Sequence, residues 1–171
     1  ESGDALVVLT DGGHALEELP AADLDDELIG QVWATVGRLH NAGMAHGALT
    51  PDTFGVVDGQ VRLVDLSPVS LAPSEDQRRT DLAQTLVSTA ACIGIERAVV
   101  IAAYRLGDDG VEEMLPYLQA PAMSLALRRS MRDADLHLDA LRSATAGVVG
   151  VDEPAIAELR RVSPQKLLTV G

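Results

Sequence analysis

Twelve consecutive residues, Leu82–Ile93 (LAQTLVSTAACI), carry no charge. A helix with no polar stripe has no stable place on a surface and must be covered on several sides by other elements. Its start is marked by Ser74-x-x-Gln77, a capping-box pattern in which hydroxyl and amide satisfy each other's backbone donors. The apolar stretch runs on to Ile95. This predicts a central buried helix over 82–93, with the rest of the chain packed around it. At 171 residues the chain is long enough for one such domain, burying roughly 70% of its unfolded surface. Only Trp33, Phe54, Tyr104 and Tyr117 are aromatic, so leucine, valine and alanine must fill the core.

The other elements follow from periodicity and turn residues. Asp4–Thr10 (DALVVLT) is a short apolar run ending in Asp-Gly-Gly and reads as a buried strand. From Asp25 to Asn41, Leu28, Val32, Val36 and Leu39 recur at spacings of four, four and three, with acids in the first turn and Gly43 beyond the end, predicting a helix. MAHGALTPDTF then reads as a loop. Phe54–Val57 and Val61–Val64 flank Asp58-Gly59, a strong hairpin signal. After Pro73 the segments 96–106, 111–118, 124–134, 137–149 and 153–162 read as helices, punctuated by Gly107, Gly110, Pro121, Gly150 and Pro154. The fold class is therefore mainly α with a small β-hairpin.

Charge narrows the function. With 26 acidic and 13 basic residues the net charge is −13, which argues against nucleic acid as a partner, since such binding depends on neutralising phosphates. Cys92, the single cysteine, rules out an internal disulfide and a multi-thiolate zinc site, and its apolar setting reads as inert core. His40 and His46 lack metal-ligand spacing, and His14 and His137 lie far from them. Twelve of the 13 basic residues are arginine; Lys166 is the lone lysine.

The informative stretch is His46–Ser67, HGALTPDTFGVVDGQVRLVDLS. A helix leads into a loop that starts His-Gly, proline follows five residues after the histidine, then come a hairpin and an acid at the end of its second strand. This resembles the catalytic and metal-binding loops of the protein-kinase-like superfamily, which carry H-G-D-L-x-P-x-N and, after a hairpin, D-F-G. His46, Gly47, Leu49 and Pro51 match, and Asp65-Leu66-Ser67 stands at D-F-G. Ala48 replaces the aspartate that handles the substrate hydroxyl proton, and Thr53 replaces the asparagine that helps hold magnesium. An alanine methyl accepts no proton, and a positioned base contributes 10²–10⁴-fold. The resemblance thus implies a degenerate loop (His46, Gly47, Ala48, Thr53) with no catalytic residue, and Asp65 as a weak metal candidate that needs waters and nucleotide phosphates to complete its shell.

Two residues have structural readings. His46 reads as a loop histidine packed against the central helix or as a titrating catalytic group. Asp81 reads as the superfamily's acceptor for loop backbone amides, or as a helix N-terminal acid favoured by the dipole. Asp65 and Asp81 are sixteen positions apart, which leaves no room for a long activation segment. No Gly-rich loop precedes His46 and no lysine precedes Lys166. The resemblance therefore implies a C-terminal lobe over 1–162 with the N-lobe absent from the chain, residues 1–13 being a hinge or the last N-lobe strand. It implies no cofactor, with weak Mg-ATP binding only where an N-lobe is supplied.

RRTDLAQTLVSTAACIGIERAV, MLPYLQAPAMS and IAELRRVSPQKLL together resemble the kinase-like cytoplasmic portion of actinobacterial membrane proteins of the lysylphosphatidylglycerol synthase transmembrane, or flippase-like, family. The resemblance covers most of the chain. It implies that residues 163–171 lead into a membrane helix, with Arg160, Arg161 and Lys166 on its cytoplasmic side; the alternative for these charges is a solvated helix face. The expected function is an inactive regulatory or interaction domain on the cytoplasmic face of the membrane, partnered by its parent's transmembrane region and by a regulatory protein. Two alternatives stand beside it: a small-molecule phosphotransferase using Asp52 as an unusual base, and a helical scaffold unrelated to kinases.

Overall fold

Asp25 starts the first helix by accepting the Leu28 amide on its carboxylate at 2.8 Å. In the computed structural model, which describes residues 13–151, helix α1 spans Asp26–Asn41. Its apolar positions Leu28, Val32, Val36 and Leu39 are all buried, joined by Ile29 and Trp33. Opposite-sign charges at its ends, Asp26 and Glu27 against Arg38, follow the macrodipole.

Among the described residues, five short strands accompany the helices. β1 (His14–Ala15) and the hairpin β3 (Phe54–Val57) and β4 (Gln60–Leu63) form an antiparallel sheet ordered β1-β3-β4, while β2 (Met44–Ala45) pairs with β5 (Ser70–Leu71). Asp58 and Gly59 both take positive φ, 50° and 73°, the combination a two-residue turn needs to match strand twist. The register pairs Phe54 with Leu63 and Val57 with Gln60, one residue earlier on the second strand than the apolar run Val61–Val64 suggested. Gln31 of α1 fixes that register, donating to the Gly59 carbonyl at 3.2 Å and accepting the Val61 amide at 3.0 Å. β1, β2 and β5, two residues each, were not expected: the first lies past the predicted strand's turn, and the second lies within the predicted loop. Two residues carry no periodic signal, and pairing alone makes them strands.

Helix α2 (Glu75–Ile93) opens with the expected capping box, in which Ser74 Oγ accepts the Gln77 amide and Gln77 Oε1 accepts the Ser74 amide. Ala83–Ala90 are buried without a break, including Leu86 and Ala90. α1, α3 and α4 all pack on this helix. Its two buried threonine hydroxyls turn inward on the helix itself: Thr85 donates to the Asp81 carbonyl and Thr89 to that of Thr85.

The segments predicted over 96–106 and 111–118 join as α3 (Ile95–Met114), bent at Gly107, whose φ is 70°; the turn Leu115–Tyr117 completes the second segment as a tighter helix containing Pro116. α4 (Leu125–Asp133) and α5 (Leu138–Val149) follow, and Gly150 ends α5 in the left-handed region. The mainly helical fold class with a small hairpin is therefore correct. No helix among the described residues is long and apolar enough to cross a membrane. The strand expected over Asp4–Thr10, the helix expected over 153–162 and the membrane lead-in over 163–171 lie outside the described residues.

Candidate functional site

The loop after α1 is held from beneath by one carboxylate. Asp81 Oδ2 accepts the His46 amide at 2.7 Å and Oδ1 accepts the Gly47 amide at 2.7 Å. His40 Nε2, at the end of α1, lies 3.0 Å from the same Oδ2. Asp81 itself has no exposed surface. The helix begins at Glu75, which puts Asp81 beyond the first turn, where the helix dipole has little effect. The reading of Asp81 as a helix N-terminal acid is thereby corrected: its carboxylate serves the loop.

Consecutive amides reach one carboxylate because Gly47 adopts a φ of 80°, a conformation that side-chain-bearing residues rarely take. His46 is buried, and its ring links two segments. Nε2 donates to the Asp65 carbonyl oxygen at 2.7 Å, while Nδ1 accepts the Ala48 amide at 3.3 Å. One nitrogen donates and the other accepts, which assigns the tautomer. The imidazole thus ties the loop to the end of the hairpin.

Gln84 was missed in the sequence. Three residues after Asp81 on the same helix, it accepts the Leu49 amide at 2.9 Å and donates to the carbonyls of Gly47 at 3.2 Å and Ala122 at 2.7 Å. An amide inside the uncharged stretch Leu82–Ile93 was the available signal, since a buried amide must find partners.

The rest of the loop is occupied by its own contacts. Thr53 Oγ1 accepts the Thr50 amide at 3.1 Å and lies 2.7 Å from the Thr50 hydroxyl, which also donates to the Asp52 carboxylate. Thr53 is buried, and its oxygen belongs to this turn rather than to a metal. Asp52 is exposed, bonded back onto Thr50 and close enough to Glu17 to repel it. Ala48 is half-buried and brings no acid or base. Asp65 is exposed; its Oδ1 accepts both the Ser67 hydroxyl at 2.6 Å and the Ser67 amide at 2.9 Å. Those two bonds, the hydroxyl's foremost, hold its carboxyl below the usual aspartate range. No group of three or more histidine, cysteine or acidic side chains among the described residues is placed to share a metal ion. The lone Asp65 carboxylate, half engaged by Ser67, is a poor fit to magnesium, which needs several oxygen ligands.

The remaining candidates are dispersed. His14 lies beside Glu18 and His137 beside Asp135, each exposed. Cys92 is half-buried, and burial pushes its thiol up to about 12, which removes the thiolate a nucleophile needs. It lines a cavity of about 510 Å³ together with Leu16, Glu17, Pro51 and Asp133. Neither Ala48 nor Asp65 lines that cavity.

No family model matches the chain, and no solved structure matches it. It is similar to a probable bifunctional tRNA threonylcarbamoyladenosine biosynthesis protein of Methanoculleus marisnigri, 35% identical over 91 residues. Those residues are 52% of this chain and 16% of that protein, whose name describes a molecule lying mostly outside the match.

Proposed function

We propose that the chain is a catalytically inactive, protein-kinase-like C-lobe that works as a regulatory or interaction domain. The observation that carries this reading is the clamp of Asp81 on the His46 and Gly47 amides, with alanine as the next residue of the loop. The scaffold that would present a base is kept, while the base is replaced by a methyl group. Asp65 turned onto Ser67 and Thr53 spent on Thr50 support the same reading, because both oxygens of a metal site are engaged locally. On the flippase-like resemblance, this domain sits on the cytoplasmic face of a membrane protein and contacts its parent's transmembrane region.

A second reading is a working phosphotransferase with Asp52 as base, an exposed carboxylate on the same loop four residues after Ala48. One experiment separates them. The full chain, supplied with Mg-ATP and small hydroxyl acceptors, is expected to transfer phosphate no faster than buffer. Magnesium-dependent turnover that disappears in Asp65→Asn would overturn the inactive reading, and turnover lost in Asp52→Asn would establish the second. For the membrane assignment, the parent protein is expected to fractionate with membranes and resist alkaline extraction; recovery in the soluble fraction would remove it.

A further inference from the structure

Helix α4 reverses the charge balance of the chain. Acids outnumber basic residues 26 to 13 overall, yet between Glu113 and Asp133 there are three arginines and no acid. Arg132 lies four positions after Arg128 and three after Arg129, and Leu125 lies three and four before them, so the four share one helix face. All four are exposed, Leu125 to 77%. The buried residues of the helix are Leu127 and Met131, and α4 packs on α2. Elsewhere the fold pairs its arginines: Arg78 lies by Glu75, Arg79 by Glu113 and Arg97 by Asp26. The three on α4 have no acid within ion-pair distance among the described residues. Like charges one turn apart work against a helix, and a leucine left in water forgoes the gain of burial. Charge and leucine are separate observations, and one kind of surface satisfies both: anionic, with an apolar layer beneath. None of the four lines the cavity beside Ser130 and Asp133. They form a convex ridge, which meets a plane along its whole length.

We propose that α4 is the face by which the domain lies against an anionic lipid leaflet, Arg128, Arg129 and Arg132 meeting lipid phosphates while Leu125 enters the boundary of the acyl chains. This rests on the membrane-face reading given above and adds the orientation to it. Arginine suits the task because its planar fork matches phosphate while its stem lies along apolar surface. The net charge of −13 sets the condition. At low salt the field of the whole domain opposes approach, whereas at about 0.15 M acids more than about 8 Å from the leaflet are screened and the arginines in contact decide. Asp133 and Asp135 follow the stripe and are exposed, so the N-terminal end of α4 leads the approach.

The test sediments the full chain with vesicles of phosphatidylcholine alone and with vesicles in which about 40% of the lipid is phosphatidylglycerol. Binding is expected to the anionic vesicles only, strongest near about 0.15 M salt and weaker both at about 0.01 M and at about 1 M. Arg129→Gln should weaken it about fivefold. Arg62→Gln, which makes the same change of net charge at an exposed residue of β4, should leave it unchanged. Leu125→Gln should weaken binding at every salt concentration, since its contribution is not electrostatic. These side chains are exposed, so the urea midpoints of the variants are expected to stay at that of the parent, which separates loss of binding from loss of fold. Absence of binding near about 0.15 M salt, equal effects of Arg129→Gln and Arg62→Gln, or an unchanged Leu125→Gln would each overturn the proposal. So would an oligoglutamate peptide that binds the same arginines as tightly as the vesicles, which would point to an acidic protein partner instead. The assay uses the chain without its parent, so these failures leave the parent's membrane fractionation as a separate result.

Discussion

Asp81 receives three donors while wholly withdrawn from water: the amides of His46 and Gly47 and the His40 ring. A buried acceptor of this kind is costly to remove, because every donor it served loses its partner without regaining water. Asp81→Ala is expected to lower the unfolding free energy by about 3 kcal/mol or more, read from urea denaturation. Asp65→Asn, at an exposed carboxylate bonded only to Ser67, should leave the midpoint at neutral pH close to the parent's. A small effect at Asp81 would mean that the loop holds itself. In the sequence, the resemblance offered Asp81 as an acceptor for loop backbone amides beside the reading as a helix N-terminal acid; which of the two holds, and which amides 34 and 35 positions away it takes, only the structure decided. Gln84 was not recognised at all, because an amide within an apolar helix shows its need for partners and not where they are.

At the scale of the elements, the helices show two kinds of determination. α1 was readable because its buried positions follow a helical stripe and its cap is local. Gly37 is the weak point of that helix: no heavy atom lies within 4 Å of where its Cβ would sit, and its φ is not positive. Gly37→Ala is expected to raise stability by about 0.5–1 kcal/mol, through lower backbone entropy in the unfolded chain, measured by thermal or urea unfolding. Gly47 has equally open space, but at a φ of 80° its substitution by alanine should destabilise the protein. The opposite signs isolate conformation from crowding. α2 was readable by a different route, from the absence of charge rather than from a stripe, and the unbroken burial of Ala83–Ala90 is the result.

Across the whole molecule, α2 is the hub: α1, α3 and α4 pack on it, and the loop hangs from Asp81 and Gln84 on its flank. Cys92 near the end of α2 reports on this packing. Burial raises its thiol to about 12, so at pH 8 the native protein holds far less thiolate than the unfolded chain. Alkylation of Cys92 in the native state is expected to be at least tenfold slower than in urea, even after the higher nucleophilicity of a more basic thiolate. The rate should rise in step with the loss of helical circular dichroism as urea is added. Fast native labelling, or labelling that precedes the loss of helix, would show that this end of α2 opens independently.

By itself the sequence determined the local elements: the capped helices α1 and α2, the Asp58-Gly59 hairpin, the bend at Gly107 and the positions of His46, Asp65 and Asp81 along the chain. Those features depend on residues a few positions apart, where caps, periodicity and turn conformations act. Tertiary structure decided what those residues do. It brought Asp81 under the loop, turned His46 onto the Asp65 carbonyl, spent Thr53 on Thr50, paired the two-residue strands, and set Glu17 and Asp133 on the lining of one cavity. The physical reason is that hydrogen-bond partnership and charge proximity across more than thirty positions follow from how the helices pack, and packing is a property of all the apolar faces together.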